Sequence, residues 1–388
     1  MLRRLAYVAA VLVAAVAAVA AVRSTASRAG PAIAQPHVAA PSHVRPLIQR
    51  LSIEQLAGQR IVYAYAGLKP PASLLAIIRA GEAGGVIFFA PNIANARQLR
   101  GVVGDLQRAS LASPLHTRLL MLTDQEGGEV RRLPGAPIRS EKQIGEADDD
   151  VAAAGNAGAG AGRTLRGAGI NVNLAPVLDV YRQPGNFIDE FQRSYSSSPK
   201  AVGILGAAFI GAQQRLGVAA TAKHFPGLGS ASRRQDTDLG QVTLRASLST
   251  LRAVDEAPYA NAIGAGVKLV MTSWAVYPAL DPRLPAGLSP AVIQGELRGH
   301  LGFGGVTITD GLEAGALAPY GSIGNRAVLA ASAGADLILC ATTNPDDNTP
   351  ALGTAARNAI ATALAHGRLA RGSAQQSASR IMALRDNP

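Results

Sequence analysis

The apolar run Val218-Ala219-Ala220-Thr221-Ala222 ends abruptly in Lys223-His224-Phe225-Pro226-Gly227. A lysine inside a core must be paired or give up its proton at considerable cost. A cation and an imidazole at the end of an apolar strand therefore suit a pocket better than packing, where His224 would be merely a satisfied core histidine. The pattern recurs where Leu119-Leu120-Met121-Leu122-Thr123 runs into Asp124, and where Val306-Thr307-Ile308-Thr309 runs into Asp310. Asp124 opens Asp124-Gln125-Glu126-Gly127-Gly128, whose glycines permit a sharp turn. Asp124 and Arg132 can then face a polyhydroxylated ligand, or else belong to a capped surface loop. Asp310, flanked by apolar wall, suits a nucleophile attacking an anomeric carbon, although an aspartate there can also cap the next helix. The loop after the lysine strand carries Asp236 and Asp238. Either could be a general acid if burial or a like-charged neighbour raised its pKa from the ordinary ~3.9. Arg233 and Arg234 would oppose that, and the loop reads equally as a solvated flap.

Groups delivered from the ends of several strands need a scaffold that gathers strand ends. Candidate strands lie at residues 60–65, 84–89, 119–123, 170–175, 219–224, 268–272, 305–309 and 336–339, alternating with helical patterns at 71–80, 94–109, 151–167 and 201–216. Eight such strands close a parallel α/β barrel, a (β/α)8 TIM-type barrel, whose active sites sit at the C-terminal ends of the strands. An open doubly wound sheet is the competing architecture. The glycine-dense stretch 155–169 precedes a strand instead of following one. It is therefore a closely packed helix and not a phosphate-binding turn. One or two helices at 354–384 close the fold, and no second domain is needed.

Of the 388 residues, 48% are hydrophobic and 16% charged, which excludes a disordered chain. The net charge of +11 is spread over scattered arginines with no basic run interleaved with aromatics, so no nucleic-acid partner is expected. The lone Cys340 excludes an intramolecular disulfide and any cysteine-based metal site, and it sits in an apolar run as a small core residue. No cofactor or metal is expected. Arg3 and Arg4 precede the uncharged apolar stretch 5–22, the pattern of a signal peptide or membrane anchor over residues 1–23. Export follows from either, with membrane tethering through 5–22 if the segment is kept. Residues 24–50 read as a flexible linker, leaving 51–388 as the catalytic barrel.

The ordered set Gly84-Gly85-Val86-Ile87-Phe88-Phe89, Asp124-Gln125-Glu126-Gly127-Gly128, Gly169-Ile170-Asn171-Val172-Asn173-Leu174-Ala175-Pro176-Val177-Leu178-Asp179, Arg193-Ser194-Tyr195, Lys223-His224-Phe225-Pro226-Gly227 and Thr309-Asp310 resembles glycoside hydrolase family 3. The likeness is to its short single-domain β-N-acetylglucosaminidases and runs over nearly the whole barrel. It implies a retaining exo-hydrolase acting on terminal β-linked N-acetylglucosamine of cell-envelope or chitin-type glycans. Asp310 would be the nucleophile, and Asp124, Arg132, Arg193, Lys223 and His224 would bind the sugar. Those hexosaminidases carry their acid/base histidine in an Asp-Ser-His run. Here the run reads Asp236-Thr237-Asp238, and none of the six histidines (37, 43, 116, 224, 300 and 366) lies in this loop. The resemblance thus leaves the acid/base to Asp238, Asp236 or an unidentified residue. Leu228, Trp274 and Gly311 are further departures. Two other readings stand beside the active hexosaminidase. One is an impaired homologue that binds glycans. The other is a β-glucosidase or β-xylosidase, which usually carries its acid/base on a further domain, whereas only 78 residues follow Asp310.

Overall fold

The computed structural model describes residues 44–388, so the apolar leader and the segment up to residue 43 lie outside the described residues. Residues 44–50, read from the sequence as linker, form the helix Val44–Arg50 instead. Its Ile48 is buried in the same apolar cluster as Leu51, which is what ends the linker early. Among the described residues no helix is long and apolar enough to cross a membrane.

All eight expected strands form. They are β1 (Ile61–Tyr63), β2 (Gly85–Ile87), β3 (Leu120–Thr123), β6 (Val172–Asn173), β7 (Ala219–Phe225), β8 (Leu269–Thr272), β9 (Val306–Thr309) and β10 (Ile338–Cys340). A short antiparallel hairpin, β4 (Gln125–Gly127) and β5 (Val130–Arg131), follows β3. The eight pair in parallel in the order β10-β1-β2-β3-β6-β7-β8-β9. The seam between β9 and β10 closes through a parallel bridge from Ile308 to Leu337, with the Thr309 N–H donating to the Leu337 carbonyl at 3.1 Å. The outcome is a nearly closed (β/α)8-type barrel, not an open sheet. Each of these strands is buried along its whole length, as expected of parallel strands covered on both faces.

The N-terminal end of the barrel is plugged. The helix Arg371–Asp386 sends Ile381 and Leu384 into the same cluster as Val62, Leu120 and Ile308. Arg385 donates to the Ala83 and Gly84 carbonyls at 2.9 and 2.8 Å, where the chain enters β2. Nearby, fully buried Asp336 accepts from Arg298 and Arg380, each at 2.7 Å. Burial alone would raise its pKa, but the two guanidiniums outweigh that and hold it down to about 2. This face is committed to stability, which leaves the opposite, C-terminal face for function.

The glycine-rich stretch is the helix Asp150–Ala168, packed on the helix Pro199–Gln214. A Cβ at Gly158 would lie 2.2 Å from the Phe209 carbonyl oxygen, so the crossing brings the two backbones almost into contact. Gly158, Gly160 and Gly162 serve close helix packing, with no phosphate-binding turn.

Candidate active site

The side chains that the strands deliver meet in one cavity of about 230 Å³ at the C-terminal face. Asp124, Arg132, Arg193, Lys223, His224, Asp238 and Asp310 all line it, as does Glu126. Its remaining wall is largely apolar, including Phe89, Leu174, Met271 and Leu339. The space suits a single sugar ring with its substituents, held between apolar surface and a few placed polar groups.

Four charges form the floor. Lys223, only 2% exposed, reaches Asp124 Oδ1 at 2.9 Å and Glu126 Oε1 at 2.7 Å. Arg193 grips Glu126 with both Nε and Nη2 at 2.9 Å, the forked geometry that makes such pairs strong. Burial works against the ammonium, yet Asp124 and Glu126 more than offset it and raise the Lys223 pKa, so the lysine stays charged. Burial likewise opposes the Glu126 carboxylate, but Arg193 and Lys223 hold its pKa well below the usual range. Glu126 is thus the hub that keeps two cations in place. Its place in the Asp124-Gln125-Glu126-Gly127-Gly128 motif does not by itself reveal this role. Its signal was a second acid two residues past Asp124, on the same turn. Because its folded pKa is depressed, its stabilisation is present above the ordinary glutamate value and is lost as pH falls toward the folded one. Glu126→Ala leaves buried Arg193 without its ion-pair partner and Lys223 with Asp124 alone, and should cost about 3–5 kcal/mol of stability. The check is the urea midpoint at pH 7, together with loss of sugar binding.

His224 is set by another residue whose place in a motif does not by itself reveal its role. Asp179, fully buried, accepts from His224 Nδ1 at 2.7 Å, from the His224 N–H at 3.3 Å and from the Leu228 N–H at 2.6 Å. The ring is therefore fixed through Nδ1, and Nε2 is the nitrogen left for a ligand. Leu228 acts here through its backbone, which explains why an apolar side chain is tolerated at that point. Arg132 lies just beyond β5 and lines the cavity, and its buried Nε has no hydrogen-bond partner.

Asp310 follows β9 directly. Its Oδ1 accepts the Gly311 N–H at 2.8 Å, and among the described residues it has no ion pair. No α-helix begins here: a turn follows, then the 3-10 segment Gly315–Tyr320, so helix capping is not its task. Trp274 donates from Nε1 to the Gly311 carbonyl at 2.9 Å and so holds the turn.

The loop carrying Asp236 and Asp238 is exposed over much of its length but is tied down at its far end. The Gly315 N–H donates to the Asp238 carbonyl at 2.9 Å, and the Ala316 N–H to the Thr237 carbonyl at 3.0 Å. Arg233 turns outward onto Glu190 and does not face the acids. Asp238 is exposed as a residue and lines the cavity, where its neighbours partly shield it from solvent. Partial burial, then the charges of Asp310 and Asp236, push its pKa up to about 7 against the pull of Arg193. Asp236 does not line the cavity. Its Oδ1 accepts the Asp238 N–H at 2.8 Å, which places it behind Asp238 and out of contact with the cavity.

Among the described residues, the group able to hold a metal is Glu256, Glu296 and His300, whose ligand atoms lie within 4.8 Å of one another. None of the three lines the cavity. Arg252 already occupies both oxygens of Glu296, and burial, followed by Glu296, pushes Glu256 up to about 8.

Comparison with known proteins agrees with this arrangement. Residues 49–384 match the glycosyl hydrolase family 3 N terminal domain. An uncharacterized secreted glycosyl hydrolase of Arthroderma benhamiae is 46% identical over 84% of this chain and 92% of its own. A beta-hexosaminidase of Nitrosomonas eutropha is 32% identical over 66% of this chain and 73% of its own. The solved family 3 beta-N-acetylglucosaminidase of Paenibacillus sp. str. FPU-7 superposes with a TM-score of 0.81 at 36% identity, covering 87% of this chain and 62% of that one. Matched along the whole length of its barrel, the chain belongs to glycoside hydrolase family 3, and the protein is a glycoside hydrolase with β-hexosaminidase relatives.

Proposed function

We propose that the protein is an exported retaining exo-glycosidase that removes terminal β-linked N-acetylglucosamine through a glycosyl-aspartate intermediate. One observation carries this reading. Asp310, which has no ion pair among the described residues, shares a one-sugar cavity with Asp238, whose pKa partial burial and Asp310 push up to about 7. A carboxyl group whose surroundings favour its protonated form, facing a second carboxyl group across one cavity, is what acid-assisted glycoside cleavage requires.

In the first step Asp310 attacks the anomeric carbon and the bond to the leaving oxygen breaks. Asp238 gives its proton to that oxygen, leaving a glycosyl ester on Asp310 and a carboxylate at 238. In the second step the Asp238 carboxylate takes a proton from water as the water oxygen attacks the same carbon. The ester opens and the original protonation states return. Lys223, Asp124, Arg132 and the His224 Nε2 hold the terminal sugar, and Arg193 supports them through Glu126. Export is supported by the secreted Arthroderma relative, and the N-acetyl preference by the hexosaminidase and acetylglucosaminidase relatives.

A panel of aryl β-glycosides tests the assignment. Aryl β-N-acetylglucosaminide should exceed aryl β-glucoside and β-xyloside in kcat/KM by roughly 10²-fold or more. Faster turnover of the glucoside or xyloside would transfer the assignment to that sugar. Binding without turnover of any of them would make the protein a glycan-binding member of the family.

A further inference from the structure

We infer that Gly315 is a positioning residue that sets the approach of the acid/base carboxyl Asp238 to the nucleophile Asp310. The inference rests on the reading of Asp238 as the acid/base.

Three observations lead to it. First, the turn after β9 is a stiff arm. Gly311 is held by Trp274 Nε1 at 2.9 Å, the Leu312 N–H donates to the Leu339 carbonyl at 3.0 Å, and Arg326 Nη1 donates to the Leu312 carbonyl at 2.8 Å. The nucleophile stands at the root of this arm. Second, the acid's loop hangs on the far end of the arm by backbone alone, through the Gly315 to Asp238 and Ala316 to Thr237 hydrogen bonds. The chain thus ties the acid not to the strand that precedes it, β7, but to the strand that carries its catalytic partner. Third, the tie is as close as backbones allow. A Cβ at Gly315 would lie 2.7 Å from both C and O of Leu239 and 2.8 Å from the Asp238 carbonyl oxygen, and no flexible side chain is there to give way. Gly315 does not adopt the positive φ that disfavours L residues, so an alanine would be blocked by this contact alone and not by its own backbone.

Trp274 and Gly311, two departures from the family pattern, fall into place as parts of the arm. A single methyl group at 315 must push the loop outward, and Asp238 moves with it. Displacement of a catalytic group by about an ångström costs on the order of 10²-fold, and here the cost falls on proton donation only.

The test compares Gly315→Ala, Asp238→Ala and wild type on a 2,4-dinitrophenyl β-N-acetylglucosaminide and on the methyl glycoside. The former needs no acid, whereas the latter does. Gly315→Ala should lose about 10- to 100-fold in kcat on the methyl substrate. It should keep its rate of covalent labelling at Asp310, and its falling alkaline limb should move to lower pH as Asp238 becomes more exposed. Equal losses on both substrates, or no loss on either, would overturn the positioning role, and a thermal melt separates that result from simple misfolding. Should Asp238→Ala itself show no dependence on leaving group, it is the acid/base assignment that fails. If Asp238→Ala shows the dependence and Gly315→Ala does not, only the role of Gly315 fails.

Discussion

Asp310→Asn should reduce turnover of an aryl β-N-acetylglucosaminide by on the order of 10⁴-fold or more, the scale seen when a covalent nucleophile is removed from an otherwise intact site. The substitution is mild for the fold. Asp310 forms no ion pair among the described residues, and an amide oxygen can still accept the Gly311 N–H that Oδ1 accepts at 2.8 Å. Melting temperature should therefore hold while activity disappears. Two further results would identify the missing group. Wild type incubated with a fluorinated sugar bearing an activated leaving group should gain the mass of one glycosyl unit on the peptide containing Asp310. Asp310→Gly supplied with azide should recover turnover and yield the α-glycosyl azide, because a small anion then attacks from the side the carboxylate used to occupy. The first product released by wild type should be the β-anomer, as two inversions require. If Asp310→Asn kept more than a few per cent of wild-type activity, the substrate's own acetamido oxygen would become the nucleophile and the covalent reading would fall.

Much of this arrangement was legible in the residues, and the reason is local. A run such as Val306-Thr307-Ile308-Thr309 can only be a buried strand, and the first charged residue after it must sit where the barrel opens. This logic places Asp124, Lys223, His224 and Asp310 without coordinates, and the structure brings all four to one cavity. What remained hidden depends on contacts between distant segments. Glu126 and Asp179 stood in plain view within motifs. Their roles arise only because Arg193 lies 67 residues from Glu126, and His224 lies 45 residues from Asp179, in positions to reach them. The effect of Arg233 was misjudged for the same reason. Proximity in sequence suggested it would hold Asp238 ionised, but its side chain leaves for Glu190 and the nearer influence is a carboxylate 72 residues away, Asp310. The helix at 44–50 was missed because a composition rich in proline and alanine around it masked the apolar pair Leu47-Ile48, which packs against the barrel's helical layer.

Asp238→Ala should separate substrates by the quality of their leaving groups. A methyl glycoside or a disaccharide leaves as a strongly basic alkoxide and needs a proton in the transition state, so its glycosylation step should slow by about 10²- to 10⁴-fold. A dinitrophenyl glycoside leaves unaided, so its first step should be nearly unchanged, and a burst of phenol should appear as deglycosylation becomes rate-limiting for want of the base. Azide should relieve that block and give the β-glycosyl azide, since the nucleophile now attacks the glycosyl ester from the opposite side. The pH profile follows from the same group. With Asp238 raised to about 7 by partial burial, Asp310 and Asp236, the wild-type rate on the methyl glycoside should fall as pH rises through that value, and Asp238→Ala should lose this limb. Asp236→Asn removes one of the charges that raise it, so the limb should shift toward lower pH while the enzyme stays active. The linkage to stability runs the other way from that of Glu126. A folded pKa above the ordinary carboxyl value means the folded state holds a proton the unfolded chain has released, so Asp238 weakens the fold as pH rises toward 7. Asp238→Ala should accordingly melt no lower than wild type at pH 8, even as it loses the methyl glycoside as a substrate, an exchange of stability for function that is common at active sites. Uniform loss across leaving groups, with the alkaline limb intact, would remove Asp238 from proton transfer and send the search for the acid to another segment at the cavity mouth.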